Sequence, residues 1–130
     1  MINCHINKPI NYSLIKNNDK KLIRLEEDFI FYMTFFGQEQ AVIVPQGFIS
    51  DGFSLPKLFK PLHNPLGKGV EIAVVHDFLY SKQSPSTITK AEADLFFKEG
   101  MACMGMKPWK YNLFYTAVWA FGWLRYKKRY

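Results

Sequence analysis

A chain of 130 residues that is 48% hydrophobic and 17% aromatic is long enough for one packed domain and too apolar to remain disordered. Its net charge of +6 sits at one end: Lys107, Lys110, Arg125, Lys127, Lys128 and Arg129 follow position 106 with no acid among them, so the rest sums to about zero. Cys4 and Cys103 stand in no metal-ligand spacing, which excludes a cysteine zinc site; they read as free thiols of a reduced compartment, with one disulfide as the alternative. "MINCHINKPINY" lacks the basic start and apolar run of a secretory signal, so the expected location is a cytoplasm or a particle packaged from one.

Residues 1–50 read mainly as strands. "KKLIRLEEDFIFYMTFFGQEQAVIVPQGFIS" mixes aromatic and β-branched residues, with Ile23 and Leu25 facing opposite to Leu22, Arg24 and Glu26. "FIFYMTFF" is uniformly apolar and predicts a strand covered on both faces, and "FGQEQ" predicts a turn. The gaps are too short for helical crossovers, so the pairing is antiparallel, in hairpins. Pro45 and Gly47 then end the sheet. Residues 51–69 form a long connection whose Phe53, Leu55, Leu58, Phe59 and Leu62 should pack down, with a short helix near Pro56–Leu62.

Residues 70–130 read as helical. The first helix covers Val70 to Tyr80; the second follows Ser86 or Thr87 as cap and stops before Gly105, with Gly100 weakening its middle. The third runs from Pro108, suited to a first-turn position, to Lys127. Its apolar stretch "YNLFYTAVWAFGWL" is shorter than the ~20 residues needed to span a bilayer, so it is not transmembrane. Core packing explains it, with an interfacial helix as the alternative. The fold class is therefore α+β in a single domain, 1–130: an N-terminal antiparallel β-sheet, a long loop and three C-terminal helices.

The chemistry concentrates in "IAVVHDFLY". On a helix Ala73, His76, Asp77 and Tyr80 share one face, while Ile72, Val74, Val75, Phe78 and Leu79 supply the packed sides. Asp94 in "KAEADLFF" and Asp51 in "ISDGFSLP" are placed to join them. One imidazole with two or three carboxylates suits a divalent metal held by His76, Asp77 and Asp94, polarising a water. Without metal, an Asp–His pair is a general base. The structural alternatives stand beside these: Asp51-Gly52 as a turn, Ser54 as a helix cap rather than a nucleophile, Asp94 paired with Lys90 or Lys98, and His76 held by Asp77, Asp94 or a carbonyl. His76 and Asp77 diverge by about 100° on a helix and should find different partners.

"VPQGFISDGFSLPKLF", "EIAVVHDFLY" and "KAEADLFFKEGM", in that order, resemble the motifs of the phage and prophage family filed as domain of unknown function 1353: Val-Pro-x-Gly-Phe-x-Thr-Asp-x-Ala-Ser-x-Pro, His-Asp-x-Leu-Tyr and Arg-x-x-Ala-Asp-x-x-Phe. The resemblance implies a viral or prophage origin and a shared polar cluster at Asp51, Ser54, Pro56, His76, Asp77, Tyr80 and Asp94, without a settled activity. Ser50, Phe53 and Lys90 depart from the pattern, and Lys90 lacks the bidentate fork of the arginine it replaces. "HDFLY" also looks like the His-Asp-x-x-Tyr segment of secreted phospholipases A2, without the flanking cysteines.

Two functional expectations follow. One is a small accessory or virion-associated protein, in host cytoplasm or virion, whose cluster is structural and whose basic aromatic C-terminus contacts virion or host proteins, with nucleic acid or a membrane surface as less favoured partners. The other is a metal-dependent or His/Asp general-base hydrolase acting on an envelope-type substrate, with Asp51, His76, Asp77 and Asp94 as its reactive groups and Ser54 and Tyr80 beside them.

Overall fold

The computed structural model describes residues 4–6, 9–17, 20–35, 37–50, 69–84 and 88–122. The loop with its expected short helix, Asp51, Ser54, the expected caps Ser86 and Thr87, and Arg125, Lys127, Lys128 and Arg129 lie outside the described residues. Among the described residues six strands precede three helices: β1 (Cys4–Ile6), β2 (Tyr12–Asn17), β3 (Lys20–Leu25), β4 (Phe29–Phe35), β5 (Gln38–Val44) and β6 (Ile49–Ser50), then α1 (Val70–Tyr80), α2 (Lys90–Cys103) and α3 (Pro108–Phe121). The architecture is α+β, as the sequence predicts.

The strands are antiparallel throughout but divide into two three-stranded sheets, ordered β1-β4-β5 and β2-β3-β6. Each contains one hairpin. In the β4–β5 hairpin Phe35 pairs with Gln38, and Gly37 takes φ +75°, a conformation that turns of this length favour in glycine. A second turn returns β6 to β3. Gly47, at φ +87°, donates its N–H to the Leu25 carbonyl at 2.8 Å, and Leu25 N–H reaches the Phe48 carbonyl at 3.0 Å.

Alternation decides which faces are dry. Ile23 and Leu25 are buried and Arg24 is exposed, as the period of two requires. In β4 the same rule corrects the expectation of a strand covered on both faces. Phe29, Phe31 and Met33 are buried, whereas Ile30, Tyr32 and Thr34 are only half-buried.

Among the helices α1 is the most deeply buried. Val70, Ile72, Ala73, Val74, Val75, Phe78 and Leu79 are all buried, so it is apolar around most of its circumference. It touches β5, β6 and α2, and α2 in turn packs on α3. The α1–α2 approach depends on Gly100, where an added Cβ would lie 2.5 Å from Ile72 Cγ1. The glycine that weakens the helical pattern in sequence is thus what allows α1 to come close.

The start of α2 is set by a reciprocal cap at Thr89, not at Ser86 or Thr87. Glu92 N–H donates to Thr89 Oγ1 and Thr89 N–H to Glu92 Oε1, both at 3.1 Å. The helix ends as expected, with Gly105 at φ +88° just beyond Met104. Pro108 opens α3, whose Phe114 is fully buried. Among the described residues no helix is long and apolar enough to cross a membrane.

The reading of two free thiols is overturned. Cys4 on β1 and Cys103 at the end of α2 form a disulfide across 99 positions, their Cα atoms 6.1 Å apart. Spacing in sequence could not show this, because the pairing depends on where β1 joins its sheet.

Candidate functional site

The polar face of α1 divides between two directions. Asp77 is half-buried and turns toward the sheet, where Ser50 on β6 donates its hydroxyl to Oδ2 at 2.6 Å. His76 turns toward α2. Neighbouring positions diverge by about 100° on a helix, so each meets its own partner.

Asp94 on α2 is the centre of the second network, and it is 1% exposed. Its Oδ1 lies 2.9 Å from His76 Nε2 and also accepts a hydrogen bond from the Tyr80 hydroxyl. Its Oδ2 accepts from Lys90 Nζ at 2.6 Å. An ionised carboxylate only accepts, so Nε2 is the protonated ring nitrogen in this contact. His76 and Tyr80 arrive from one face of α1, four positions apart; Lys90 arrives from Asp94's own helix at i−4.

Burial raises the Asp94 carboxyl's pKa. The hydrogen bonds from His76, Lys90 and Tyr80 oppose that and prevail, holding the group below its ordinary value. Asp94 is therefore a carboxylate at neutral pH. The His76 ring is fixed on two more sides, stacked on Phe97 with centroids 4.4 Å apart and tilted against Tyr80 at 4.2 Å.

Lys90 joins this pair to the third helix. Besides Asp94 it donates to the carbonyls of Val118 at 2.9 Å and Trp119 at 3.3 Å, in the last turn of α3. The Val118 carbonyl also accepts the Gly122 N–H, and both carbonyls lie at the C-terminal end of the helix, where positive charge is favoured. One ammonium thus serves a carboxylate and a helix end together. Gly122 packs directly over it: a Cβ there would overlap the Tyr80 hydroxyl and lie 3.0 Å from Lys90 Cε.

The i, i+4 spacing makes the Lys90–Asp94 pair readable from sequence, and it is among the structural partners named for Asp94. The anchoring of α3 by Lys90 is not readable, because main-chain carbonyls leave no mark in residue identities. Ser50 and Gly122 are missed for a similar reason: their roles exist only through distant neighbours.

His76, Asp77 and Asp94 do not form one donor set. His76 and Asp94 hydrogen-bond each other, the Lys90 ammonium already holds the other oxygen of Asp94, and Asp77 is engaged by Ser50. Among the described residues no group of three or more His, Cys, Asp and Glu side chains is placed to hold a metal ion. A cavity of about 210 Å³ lies elsewhere, between β5 and the helices. Gln38, Gln40, Val42, Leu79, Ile88, Glu92 and Phe96 line it, and none of the cluster does.

A sequence model of the family described as a protein of unknown function, DUF1353, matches residues 23–118, which take in every strand from β4 onward and all of α1 and α2. No curated protein and no solved structure matches the chain.

Proposed function

The chain belongs to the DUF1353 family, and we propose that it is a small phage or prophage accessory protein, carried by the virion, in which the Asp94 cluster is structural and the basic aromatic C-terminal end makes the contacts. The observation that carries this reading is the closure of the cluster. His76 and Lys90 are each 5% exposed, and every donor described around Asp94 ties one helix to another. A general base must offer a nitrogen to substrate or water. The His76 ring instead is buried between Phe97 and Tyr80, so it is this packing, and not the Nε2–H bond to Asp94, that keeps the imidazole from solvent.

The Cys4–Cys103 bond supports the virion over the cytoplasm, since disulfides persist where thiols are not kept reduced. Mass spectrometry of purified particles tests the reading. The chain should co-purify with them in fixed proportion to a coat protein, and its absence from particles would overturn the proposal.

One observation favours the hydrolase as a second reading. His76, Tyr80 and Asp94 form a carboxylate-oriented imidazole with a tyrosine on the same oxygen, and they do so around the His-Asp-x-x-Tyr spacing that resembles phospholipases A2. Purified protein incubated with phosphatidylglycerol vesicles distinguishes the two. Fatty acid release abolished by His76→Gln would establish the hydrolase; no release from a folded wild type leaves the structural role.

A further inference from the structure

The outward face of α3 has a composition that its packing does not require. Phe114 is buried, with Tyr111 and Val118 packed against the same core. The opposite arc, spanning about 100° of the helix, carries Trp109, Asn112, Thr116, Trp119 and Ala120, all exposed. The two tryptophans are 56% and 63% exposed, the largest such values among the exposed large hydrophobic residues described. They stand about 15 Å apart along the axis. Such residues are normally drawn into cores or interfaces.

The surroundings of this arc are cationic. Lys107 and Lys110 lie at its N-terminal end, and Lys98 of α2 sits with Nζ 5.0 Å from the Tyr115 ring on one flank. No Asp or Glu occurs in the sequence after Glu99. A second copy of the chain is a poor occupant, since pairing this face with itself would bring like charges together.

We propose that this face of α3 docks the protein, lying flat, on an anionic lipid surface. Tryptophan at both ends of an exposed helical arc suits the headgroup level, where the ring is sheltered and the indole N–H stays hydrogen-bonded. Asn112 and Thr116 between them tolerate that shallow depth, and the flanking cations meet lipid phosphates. This names the partner of the contact-making end in the function proposed above and rests on that reading. It is distinguishable from it, because presence in particles and adsorption to vesicles are measured separately.

The test is co-sedimentation and tryptophan fluorescence of the intact, oxidised protein with vesicles of phosphatidylcholine alone or mixed with phosphatidylglycerol. Binding and a blue-shifted emission are expected only with phosphatidylglycerol, weakening as salt is raised. The double variant Trp109→Ser, Trp119→Ser should weaken binding by about tenfold or more, while Leu14→Ser, at an exposed position on β2, should leave it unchanged. A single-stranded oligonucleotide followed by anisotropy serves as the competing probe. Absence of binding to the anionic vesicles, binding that survives loss of both tryptophans, or binding to the oligonucleotide alone would each overturn the proposal.

Discussion

Gly122 lies against the Tyr80 hydroxyl so closely that no side chain fits between them, and a Cβ added there would also lie 3.0 Å from Lys90 Cε. The C-terminal end of α3 is therefore seated on the buried cluster through a missing Cβ. Its φ of −63° is ordinary helical backbone, where alanine is intrinsically preferred to glycine by about 1 kcal/mol. Gly122→Ala should nevertheless destabilise the protein by about 1–3 kcal/mol, because the neighbours are a rigid ring and a bonded ammonium. Urea denaturation checks the sign. Tyr80→Phe removes the overlapping oxygen, so the alanine should cost less in that background.

Acid should loosen the helices through Asp94. Its pKa in the folded protein is held below the ordinary value of about 3.9 expected when unfolded, so the unfolded chain takes up the proton first. The stability it contributes is complete above about pH 5 and is lost as the pH falls through the unfolded and then the folded value. Asp94→Asn, which strands the buried Lys90, should cost about 3–5 kcal/mol at pH 7. It should also flatten the acid limb of a stability–pH curve measured by denaturant titration. An acid limb identical to wild type would mean that another carboxylate governs it.

How much of this was legible in the sequence depends on the range of each interaction. The bounds of α1, the Ile23–Leu25 alternation and the Gly105 stop follow from local pattern, and they appear where expected. The divergence of His76 and Asp77 follows from helix geometry alone, and their separate partners agree with it. What escaped is long-range. The split into two sheets depends on β1 pairing with β4, and the disulfide on β1 reaching the end of α2. The cap at Thr89 is local and readable, since Thr89-x-x-Glu92 carries the capping-box spacing, whereas Ser86 and Thr87 resemble caps only as individual residues.

Closing a loop of 99 positions gives the Cys4–Cys103 bond a large effect on the unfolded chain. In the chain-entropy account a loop of that size contributes about 4.7 kcal/mol. Reduction, or the pair Cys4→Ser and Cys103→Ser, should lower the urea midpoint correspondingly and leave the native far-ultraviolet circular dichroism unchanged below it. Protein from intact particles should show no reactive thiol until unfolded and reduced. Alkylation of both cysteines in the native protein would contradict the bond and remove its support for a virion location.

Lys90 gives the sharpest separation between a salt bridge and a structural joint. Lys90→Met keeps the unbranched apolar stem but leaves the Asp94 charge without its cation and the Val118 and Trp119 carbonyls without this donor. Breaking a buried pair in this way should cost about 3–5 kcal/mol. Lys90→Arg restores the charge with the residue that the family pattern carries, but its larger planar head must fit under Gly122. It should cost less than methionine, about 1–3 kcal/mol, through crowding. Hydrogen exchange separates the contributions: with methionine the last turn of α3 should lose protection before α1 does, since its carbonyls lose an anchor from α2. Equal loss across all three helices would place the role of Lys90 in global charge pairing rather than in holding the end of α3.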